Sequence, residues 1–422
     1  MQLLSIKFNF LALVITVFLF IAIYNFKLQT KYKFVSNTET NRQSIFGFNP
    51  NNGDEPANKQ QNNKKKYVVI STSVQEEKDF YTVYLPVVCQ AWLKLNFEPI
   101  IVLVLSEDDL LLISQNKMTM SSNNTSNYSR VAKLNLMQLK VIEYLNKMKV
   151  KIYFMKARKD YDVAIGMLSR MFCGFLDENF IESDDAFVIL SDSDLIPIDA
   201  NYYKVPDDDE RHENMILIWN AFCCGNINFK GKPYKQYPMS HIGMSKKHWR
   251  KLISLDLASS PLIKYDLHKY SFDSDSIFLK VETFFNQKDY MKKSKQIERG
   301  DKMWSTDQFL LSVSVEEYSK ANGLRLEKRS YRNMRLDRSH SPSLWRSNLE
   351  QNFKLITDSH LYHDNIFDEP DLLSSLYKKL FSDQKSIVRM LDDYLNQYIL
   401  IRKIHKNYKL NETKTDFVNL DN

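Results

Sequence analysis

The segment Phe187-Val-Ile-Leu-Ser-Asp-Ser-Asp-Leu-Ile-Pro197 decides the fold, because it joins an apolar run to a pair of acidic side chains. The run Ala186–Leu190 predicts a strand that is buried on both faces, as strands in parallel sheets are. Asp192 and Asp194 follow this strand directly. Open parallel sheets bind ligands beyond the carboxyl ends of their strands, so both carboxylates are expected at a binding edge.

Strands and helices alternate on the amino-terminal side of this segment. Apolar, β-branched runs predict three earlier strands, at Tyr67–Ser73, Pro99–Leu105 and Lys151–Met155. Helical spacing of apolar residues predicts helices between them, at 80–97 with a kink at Pro86, 131–148 and 163–180. The second half is more mixed, with predicted strands at 215–223 and 226–229 and helices at 245–255, 305–318 and 372–406. The pattern predicts an α/β fold with a mostly parallel sheet flanked by helices.

Carboxylates at the end of a buried strand indicate a metal site. Mg²⁺ and Mn²⁺ prefer oxygen ligands and commonly bind through one or two carboxylates together with substrate phosphates. The chain has only nine glycines in 422 residues, and they form neither a G-x-G-x-x-G motif nor a Walker A loop. A metal held by Asp192 and Asp194 would therefore anchor the phosphates of a ligand. The alternative is that the two aspartates only form an acidic turn that ends the strand.

The amino terminus predicts a membrane anchor. Residues 8–26 are almost entirely apolar and as a helix would span ~28 Å, close to the ~30 Å hydrocarbon core of a bilayer. A transmembrane signal anchor after a cytosolic tail of residues 1–7 is expected, with a cleaved signal peptide or a buried helix of a soluble protein as the alternatives. The polar residues 27–66 predict a stem, 67–370 the catalytic domain and 371–422 a helical extension and tail.

Charge and sequons bear on the orientation of that anchor. Lysines directly after the apolar run favour the cytoplasm by the positive-inside rule. N-x-[ST] sequons favour a lumenal, glycosylated body, and they begin at Asn123, Asn124, Asn127 and Asn411. Residues 1–66 hold nine basic and three acidic groups, which is +6 of the formal net charge of +7. The excess of basic residues thus lies in the predicted tail, anchor and stem and not in the folded body, so no nucleic-acid partner is expected.

The four cysteines lack C-x-x-C spacing, which argues against zinc and leaves any disulfide pairing open.

The anchor, the stem, the alternating strands and helices and the Ser-Asp-Ser-Asp sequence resemble type II Golgi glycosyltransferases of the GT-A fold. The resemblance covers the chain from the anchor to about Pro197. It implies a membrane enzyme of the Golgi or ER with a lumenal catalytic domain. Such an enzyme transfers a sugar from a nucleotide-diphosphate donor, with a UDP-sugar as the first candidate, to a hydroxyl of a glycan, glycoprotein or glycolipid. Three further stretches are similar to a group of invertebrate proteins with the same layout, from which no substrate carries over: Tyr237–Met244, Trp304–Gln308 and Asp337–Ser339.

The resemblance also implies roles for residues around the donor. Asp192 and Asp194 would chelate Mn²⁺ or Mg²⁺ on the donor diphosphate, with Asp194 the more direct ligand. A third ligand, often a histidine, is expected near the end of the catalytic domain, where His360 and His363 lie. The base and ribose would lie near the end of the first strand, at Ser71, Thr72 and Ser73, and Arg170 would reach a phosphate. A pair of surface histidines and an ordinary helix-surface arginine are the alternatives.

Candidate residues for the chemistry and the acceptor lie in the second half. If the reaction inverts the anomeric centre, a carboxylate must deprotonate the acceptor hydroxyl, and Asp307 is the candidate. A helix N-terminal carboxylate that interacts with the helix dipole is the alternative for Asp307. Trp249 and Trp345 are candidate stacking surfaces for sugars and His241 a candidate acceptor contact, with core positions as the alternative for all three.

Two other functions compete with sugar transfer. A transferase-like protein without catalysis would act as a lectin or scaffold. A haloacid-type phosphatase also places D-x-D at a strand end and uses the first aspartate, here Asp192, as nucleophile. In that class the motif follows the first strand of the fold, whereas here three strand–helix units precede it.

Overall fold

The central strands are short runs of apolar and β-branched side chains, a composition that suits a pleated, buried surface. A computed structural model describes residues 65–74, 80–107, 109–110, 136–157, 161–206, 214–255, 268–288, 290–291, 305–330, 334–362, 367 and 369–418. The strands in these residues are β1 (Lys66–Ser73), β2 (Glu98–Leu105), β3 (Lys151–Lys156), β4 (Phe187–Ser191), β5 (Leu195–Pro197), β6 (Met215–Ile218), β7 (Asn226–Phe229), β8 (Lys232–Lys235), β9 (Ile242–Ser245), β10 (Arg325–Lys328), β11 (Met334–Leu336) and β12 (Ile356–His360).

In the described part of the chain, seven strands form one sheet in the order β10-β6-β9-β4-β1-β2-β3. Strand β9 runs antiparallel to both of its neighbours, and the remaining pairs of this sheet are parallel. A smaller sheet has the order β11-β12-β5, and β7 and β8 form a hairpin. The prediction of an α/β fold with a mostly parallel sheet is confirmed.

Helices cover both faces of the large sheet. Their bounds are α1 (Phe80–Val83), α2 (Leu85–Lys94), α3 (Leu136–Lys147), α4 (Asp162–Leu168), α5 (Lys246–Ser254), α6 (Ser274–Phe285), α7 (Thr306–Asn322), α8 (Pro342–Gln351), α9 (Pro370–Leu380) and α10 (Lys385–Val418). Alternate residues of β1 enter two different cores, Val68 and Ile70 with α2, α3, α9 and α10, and Tyr67 and Val69 with α4 to α7. The period of two along a strand thus divides the core into one layer on each face.

Several predicted elements are divided or shorter in the structure. The predicted helix 80–97 is two helices, and Pro86 lies in the first turn of α2, where a missing N–H costs nothing. Helix 163–180 ends at Leu168 and continues as a 3₁₀-helix over Ser169–Phe175. The predicted strand 215–223 stops at Ile218, because Asn220 adopts a left-handed φ of 52° and turns the chain. The predicted helix 372–406 is interrupted between α9 and α10.

The predicted anchor and stem lie outside the described residues, apart from the last two residues of the stem. Within the residues that are described, no helix combines the length and the apolar character needed to cross a bilayer. In the predicted helical extension, Leu376 of α9 and Tyr394 of α10 are buried in the same core as α2. The predicted division into domains stays a prediction.

Candidate active site

Polar side chains converge where the parallel strands end. Strands β1, β4, β6 and β10 share one direction, so Ser73, Ser191, Ile218 and Lys328 end at the same edge of the large sheet. Strand β9 runs in the opposite direction, so the residues that precede it, and not those that follow it, lie at this edge. The predicted binding edge therefore collects side chains from segments that are far apart in sequence.

The smaller sheet brings a distant segment to the acidic motif. Strand β5 begins directly after Asp194 and pairs antiparallel with β12, so that Leu195 lies opposite His360. The Leu361 N–H donates to the Asp194 carbonyl at 2.8 Å and extends this pairing by one residue. Backbone hydrogen bonds thus hold His360 beside Asp194.

The Asp194 carboxylate is surrounded by cationic groups. Its Oδ2 atom lies 3.3 Å from His360 Nε2 and accepts a hydrogen bond of 3.1 Å from Arg338. Burial opposes protonation of His360, but the charge of Asp194 and hydrogen bonds to Asp194 and Asp337 raise its pKa to about 9. In this state the buried carboxylate is neutralised by an imidazolium and a guanidinium.

Arg170 links the acidic motif to the candidate base. It lies on the 3₁₀-helix after α4, where its Nη1 donates to the Ser191 carbonyl at 2.8 Å and to the Asp192 carboxylate. Its Nη2 lies 3.8 Å from the Asp307 carboxylate. Burial opposes the charged form of both Arg170 and Asp192, yet their mutual attraction raises the pKa of Arg170 and lowers that of Asp192. Within the described residues, the buried Nε of Arg170 has no hydrogen-bond partner.

Asp307 is a buried carboxyl group with a raised pKa. It lies in the first turn of α7, its side chain accepts the Gln308 N–H at 2.7 Å, and only 4% of its surface is exposed. Burial raises its pKa to about 7, and the nearby Arg170 charge limits that rise. A carboxyl group with a pKa near the operating pH is well suited to accept a proton.

These groups line one cavity of about 470 Å³, within the usual range for small-molecule sites. Its lining includes nearly all of the predicted donor, metal and catalytic residues, which are Ser71, Thr72, Ser73, Arg170, Asp192, Asp194, Asp307 and His360. It also includes side chains to which the sequence assigned no role, which are Asn220, Cys223, Cys224, Gln308, Arg335 and Arg338. Arg338 belongs to the Asp337–Ser339 stretch, which was singled out only for its similarity to other proteins.

Gly166 allows α4 to lie directly against the end of β1. A Cβ atom at this position would be 2.8 Å from the Ser73 backbone nitrogen, which leaves no room for a side chain. The Ser71 hydroxyl donates to the Gly166 carbonyl at 2.5 Å, so the two elements are also joined by a hydrogen bond. One of the few glycines thus shapes the predicted nucleotide end of the cavity.

His241 belongs to a buried network behind the cavity. Its Nδ1 lies 2.9 Å from the Tyr203 hydroxyl, which donates at 3.0 Å to Asp358, and its Nε2 lies 3.4 Å from the Ser191 hydroxyl. Arg335 donates two hydrogen bonds, of 2.7 and 3.0 Å, to the same Asp358. Burial and the Arg335 charge lower the pKa of His241 to about 3, so it is neutral. The prediction that His241 contacts the acceptor is therefore wrong, because its ring is enclosed by this network.

The two tryptophans predicted to stack on sugars are also in the core. Trp249 has no exposed surface and its Nε1–H donates to the Val188 carbonyl at 2.9 Å. Trp345 is 1% exposed and packs against Tyr362 with ring centroids 4.9 Å apart. The prediction of acceptor stacking is wrong for both, because the two rings are enclosed in the core and present almost no surface to a sugar. His363, Asn123, Asn124, Asn127 and the Asn411 side chain lie outside the described residues.

The metal prediction concerns the Asp194–His360 pair. Among the described residues, no group of three or more His, Cys, Asp and Glu side chains is arranged to hold a metal. Adjacent ligands of an octahedral ion with bonds of about 2.1 Å are about 3 Å apart, close to the 3.3 Å between Asp194 Oδ2 and His360 Nε2. The spacing of the two atoms therefore suits two neighbouring ligand positions, and a metal there would displace the proton from His360 Nε2. Substrate phosphates commonly supply other ligands.

No protein-family model matches the chain, and no curated protein matches its sequence significantly. Solved structures of the glycosyltransferase GlyE of Streptococcus pneumoniae TIGR4 are similar to it, one with a TM-score of 0.34 at 12% identity and the apo form with 0.35 at 11%. Each alignment covers 80% of this chain and 64% of GlyE. The apo structure of the bifunctional glycosyltransferase WbbM gives 0.33 at 11%, over 78% of this chain and 52% of WbbM. The chain spans less than two thirds of the length of each.

Proposed function

We propose that this protein is a metal-dependent glycosyltransferase of the GT-A type, which moves a sugar from a nucleotide-diphosphate donor to an acceptor hydroxyl. The observation that carries the proposal is the meeting of three kinds of group in one cavity. These are the carboxylate–imidazole pair Asp194 and His360, the guanidinium groups of Arg170 and Arg338, and the buried carboxyl group of Asp307.

Each group has a task in sugar transfer. Asp192, Asp194 and His360 would hold Mn²⁺ or Mg²⁺, which supplies a Lewis acid for the leaving diphosphate. Arg338, whose side chain is 24% exposed, is accessible to a phosphate oxygen, whereas Arg170, whose side chain is 6% exposed, would act on the diphosphate through its charge. Asp307 would accept the proton of the attacking hydroxyl, which is the role of a general base in an inverting reaction.

Titration calorimetry of the full chain with UDP and with UDP-sugars, with and without Mn²⁺, tests the binding. We expect metal-dependent nucleotide binding, and a screen of nucleotide-sugars that follows nucleotide release is expected to identify the donor. Sugar binding without nucleotide binding would support the lectin alternative and overturn the proposal. Release of inorganic phosphate from phosphate esters, abolished by Asp192→Asn, would identify a phosphatase instead.

We also propose that the protein is a single-pass type II membrane protein of the Golgi or ER, with residues 67–422 in the lumen. The apolar residues 8–26 and the four sequons support this placement. The disulfide between Cys223 and Cys224 supports it as well, because disulfides persist in oxidising compartments. Enzymatic deglycosylation should increase the gel mobility of the expressed protein, and replacement of Asn123, Asn124 and Asn127 by Gln should reduce that increase. An unglycosylated, carbonate-extractable protein would contradict it.

A further inference from the structure

A disulfide between adjacent residues forms part of the cavity wall. Cys223 and Cys224 are joined to each other, and both line the cavity that holds Asp194 and Asp307. They lie on the loop that follows the carboxyl end of β6. Phe222 precedes them directly and is 60% exposed, although it is not among the residues that line the cavity. We call the segment Phe222–Cys224 the disulfide wall.

Hydrogen bonds hold the loop on both sides of the disulfide wall. Before it, the Asn220 N–H donates to the Tyr202 hydroxyl at 3.0 Å and the Ala221 N–H to the Arg329 carbonyl at 3.0 Å. After it, the Gly225 carbonyl accepts the Gln236 N–H at 3.1 Å. The bond between neighbouring sulfur atoms closes a small ring that restricts the peptide between them. The apolar surface is therefore pre-organised, which lowers the entropic cost of binding a ligand.

The order of the strands separates the disulfide wall from the donor side. Strand β1, with Ser71–Ser73 at its end, lies on one side of β4, whereas β9 and β6 lie on the other. The acidic motif follows β4 and stands between the two sides. A nucleotide at Ser71–Ser73 with its diphosphate at Asp194 would therefore leave the β6 side of the cavity for the second substrate.

The surface composition at this side suits a sugar ring. A pyranose has an apolar face of C–H groups and a rim of hydroxyls, so its site needs an apolar surface with polar groups around it. Sulfur is soft and polarisable and, like the exposed Phe222 ring, packs well against C–H groups. Asn220, Ser240 and Gln308 line the same cavity and offer hydrogen-bonding groups for the rim.

We propose that the disulfide wall binds the C–H face of an acceptor pyranose, so that the hydroxyl that receives the transferred sugar belongs to a glycan. That the bound sugar is an acceptor rests on the proposed glycosyltransferase function. That a sugar binds here at all rests on the disulfide wall alone. An intact disulfide is then required for acceptor binding, and donor binding does not depend on it.

Kinetics with nitrophenyl pyranosides as acceptors test the role of the wall in transfer. In Phe222→Ala and in the double variant Cys223→Ser/Cys224→Ser, the acceptor KM should rise about tenfold or more, while UDP affinity stays within about twofold of wild type. Dithiothreitol should raise the wild-type KM but not that of the double variant, because the remaining Cys89 and Cys173 are free thiols and leave no disulfide to reduce. Leu355→Ala, which removes a half-exposed apolar side chain at the far end of β12, should leave both values unchanged. An unchanged acceptor KM, or an equal loss of UDP affinity, would overturn the proposal.

Saturation-transfer NMR with methyl pyranosides tests the wall without any turnover. Wild-type protein should saturate the ring C–H protons of a bound pyranoside, and the Phe222 and cysteine variants should lose most of that signal. If UDP does not bind but the sugar signal depends on the disulfide, the glycosyltransferase proposal fails and the disulfide wall stands as a sugar site. If UDP binds and no pyranoside signal depends on the wall, the wall proposal alone is overturned.

Discussion

The Asp194 carboxylate lies 3.3 Å from the His360 imidazole because Leu195 and His360 are opposite each other in antiparallel strands. The pairing is made by backbone hydrogen bonds, so the position of His360 depends little on its own side-chain contacts. Sites built on paired strands hold their groups more accurately than sites on loops do. The candidate metal position is therefore part of the rigid frame of the protein.

Asp194→Ala should weaken Mn²⁺-dependent UDP binding by about 100-fold or more, since loss of even an outer-shell partner commonly costs 10–100-fold. Without Mn²⁺, the variant should bind UDP at least as well as wild type, because a negative charge has been removed beside Arg338. Calorimetry with and without Mn²⁺ measures both effects. Asp177→Ala, at an exposed aspartate outside the cavity, is the control. Unchanged Mn²⁺ dependence in Asp194→Ala would show that the ligand is elsewhere.

Arg170→Gln should move the pH dependence of the reaction. The Arg170 charge lowers the pKa of Asp307, which burial raises to about 7, so removal of the charge raises that pKa further. If Asp307 is the base, activity rises with pH as it loses its proton, and the rise should occur at higher pH in the variant. The measurement is kcat/KM for sugar transfer against pH.

The matched control for Arg170→Gln is Arg250→Gln, which removes a guanidinium paired with Asp184 outside the cavity. The acidic limb of its pH profile should coincide with that of wild type. A limb that does not move in Arg170→Gln would show that another group controls the rate.

Asp307→Asn should stabilise the protein while it removes activity. The pKa of Asp307 is raised from 3.8 to about 7, so the folded state binds this proton more tightly than the unfolded state. Wild-type stability therefore falls as the pH rises from about 4 to about 7, by up to about 4 kcal/mol from this group. Asparagine does not titrate, so the variant should be more stable than wild type at pH 8 and similar to it near pH 4.

Urea unfolding at both pH values measures the difference, and the turnover of Asp307→Asn should fall by about 10²–10⁴-fold. A stabilised but inactive variant is the trade-off expected when a carboxyl group that is costly to bury serves catalysis. Equal stability of the two proteins at pH 8 would mean that the Asp307 carboxylate is not penalised by burial.

The residues expected around the donor could be placed together from sequence because they lie at the ends of strands. Ser71–Ser73 and Asp192 each follow an apolar run, and parallel strands bring the ends of such runs to one edge. His360 was predicted from the resemblance alone, because its pairing with Leu195 is a long-range register that local patterns do not contain. Arg335 was not predicted at all, because it reaches Asp358 through the β11–β12 pairing, which is likewise a long-range register.

The errors have a common physical origin in side-chain direction. Trp249 and Trp345 lie on helices, but their spacing does not say whether a ring faces a cavity or the core.

Two further features also have no signal in the local sequence. The disulfide pairing could not be predicted from the cysteines, because a bond between adjacent residues has no spacing pattern to recognise. The scarcity of glycine excluded phosphate loops, whereas the close approach at Gly166 is visible only once α4 and β1 are packed.

Arg335→Met should destabilise the protein by about 3–5 kcal/mol, the usual cost of breaking a buried ion pair from one side. Asp358 has no exposed surface, so loss of Arg335 removes the guanidinium from a buried carboxylate, which still accepts a hydrogen bond from the Tyr203 hydroxyl. In Arg335→Met/Asp358→Asn much of that cost should disappear, because no charge is left to bury. A double-mutant cycle by urea unfolding should therefore give a coupling energy of at least about 1 kcal/mol.

The control for this cycle is Arg325→Met on β10, whose side chain is 58% exposed and pairs with Glu327. Its cost should be about 1 kcal/mol or less, since exposed pairs contribute little. If the effects of Arg335→Met and Asp358→Asn simply add, the two groups are not coupled in the folded state. In that case the cost of Arg335→Met does not come from leaving Asp358 without its ion-pair partner, which contradicts the prediction.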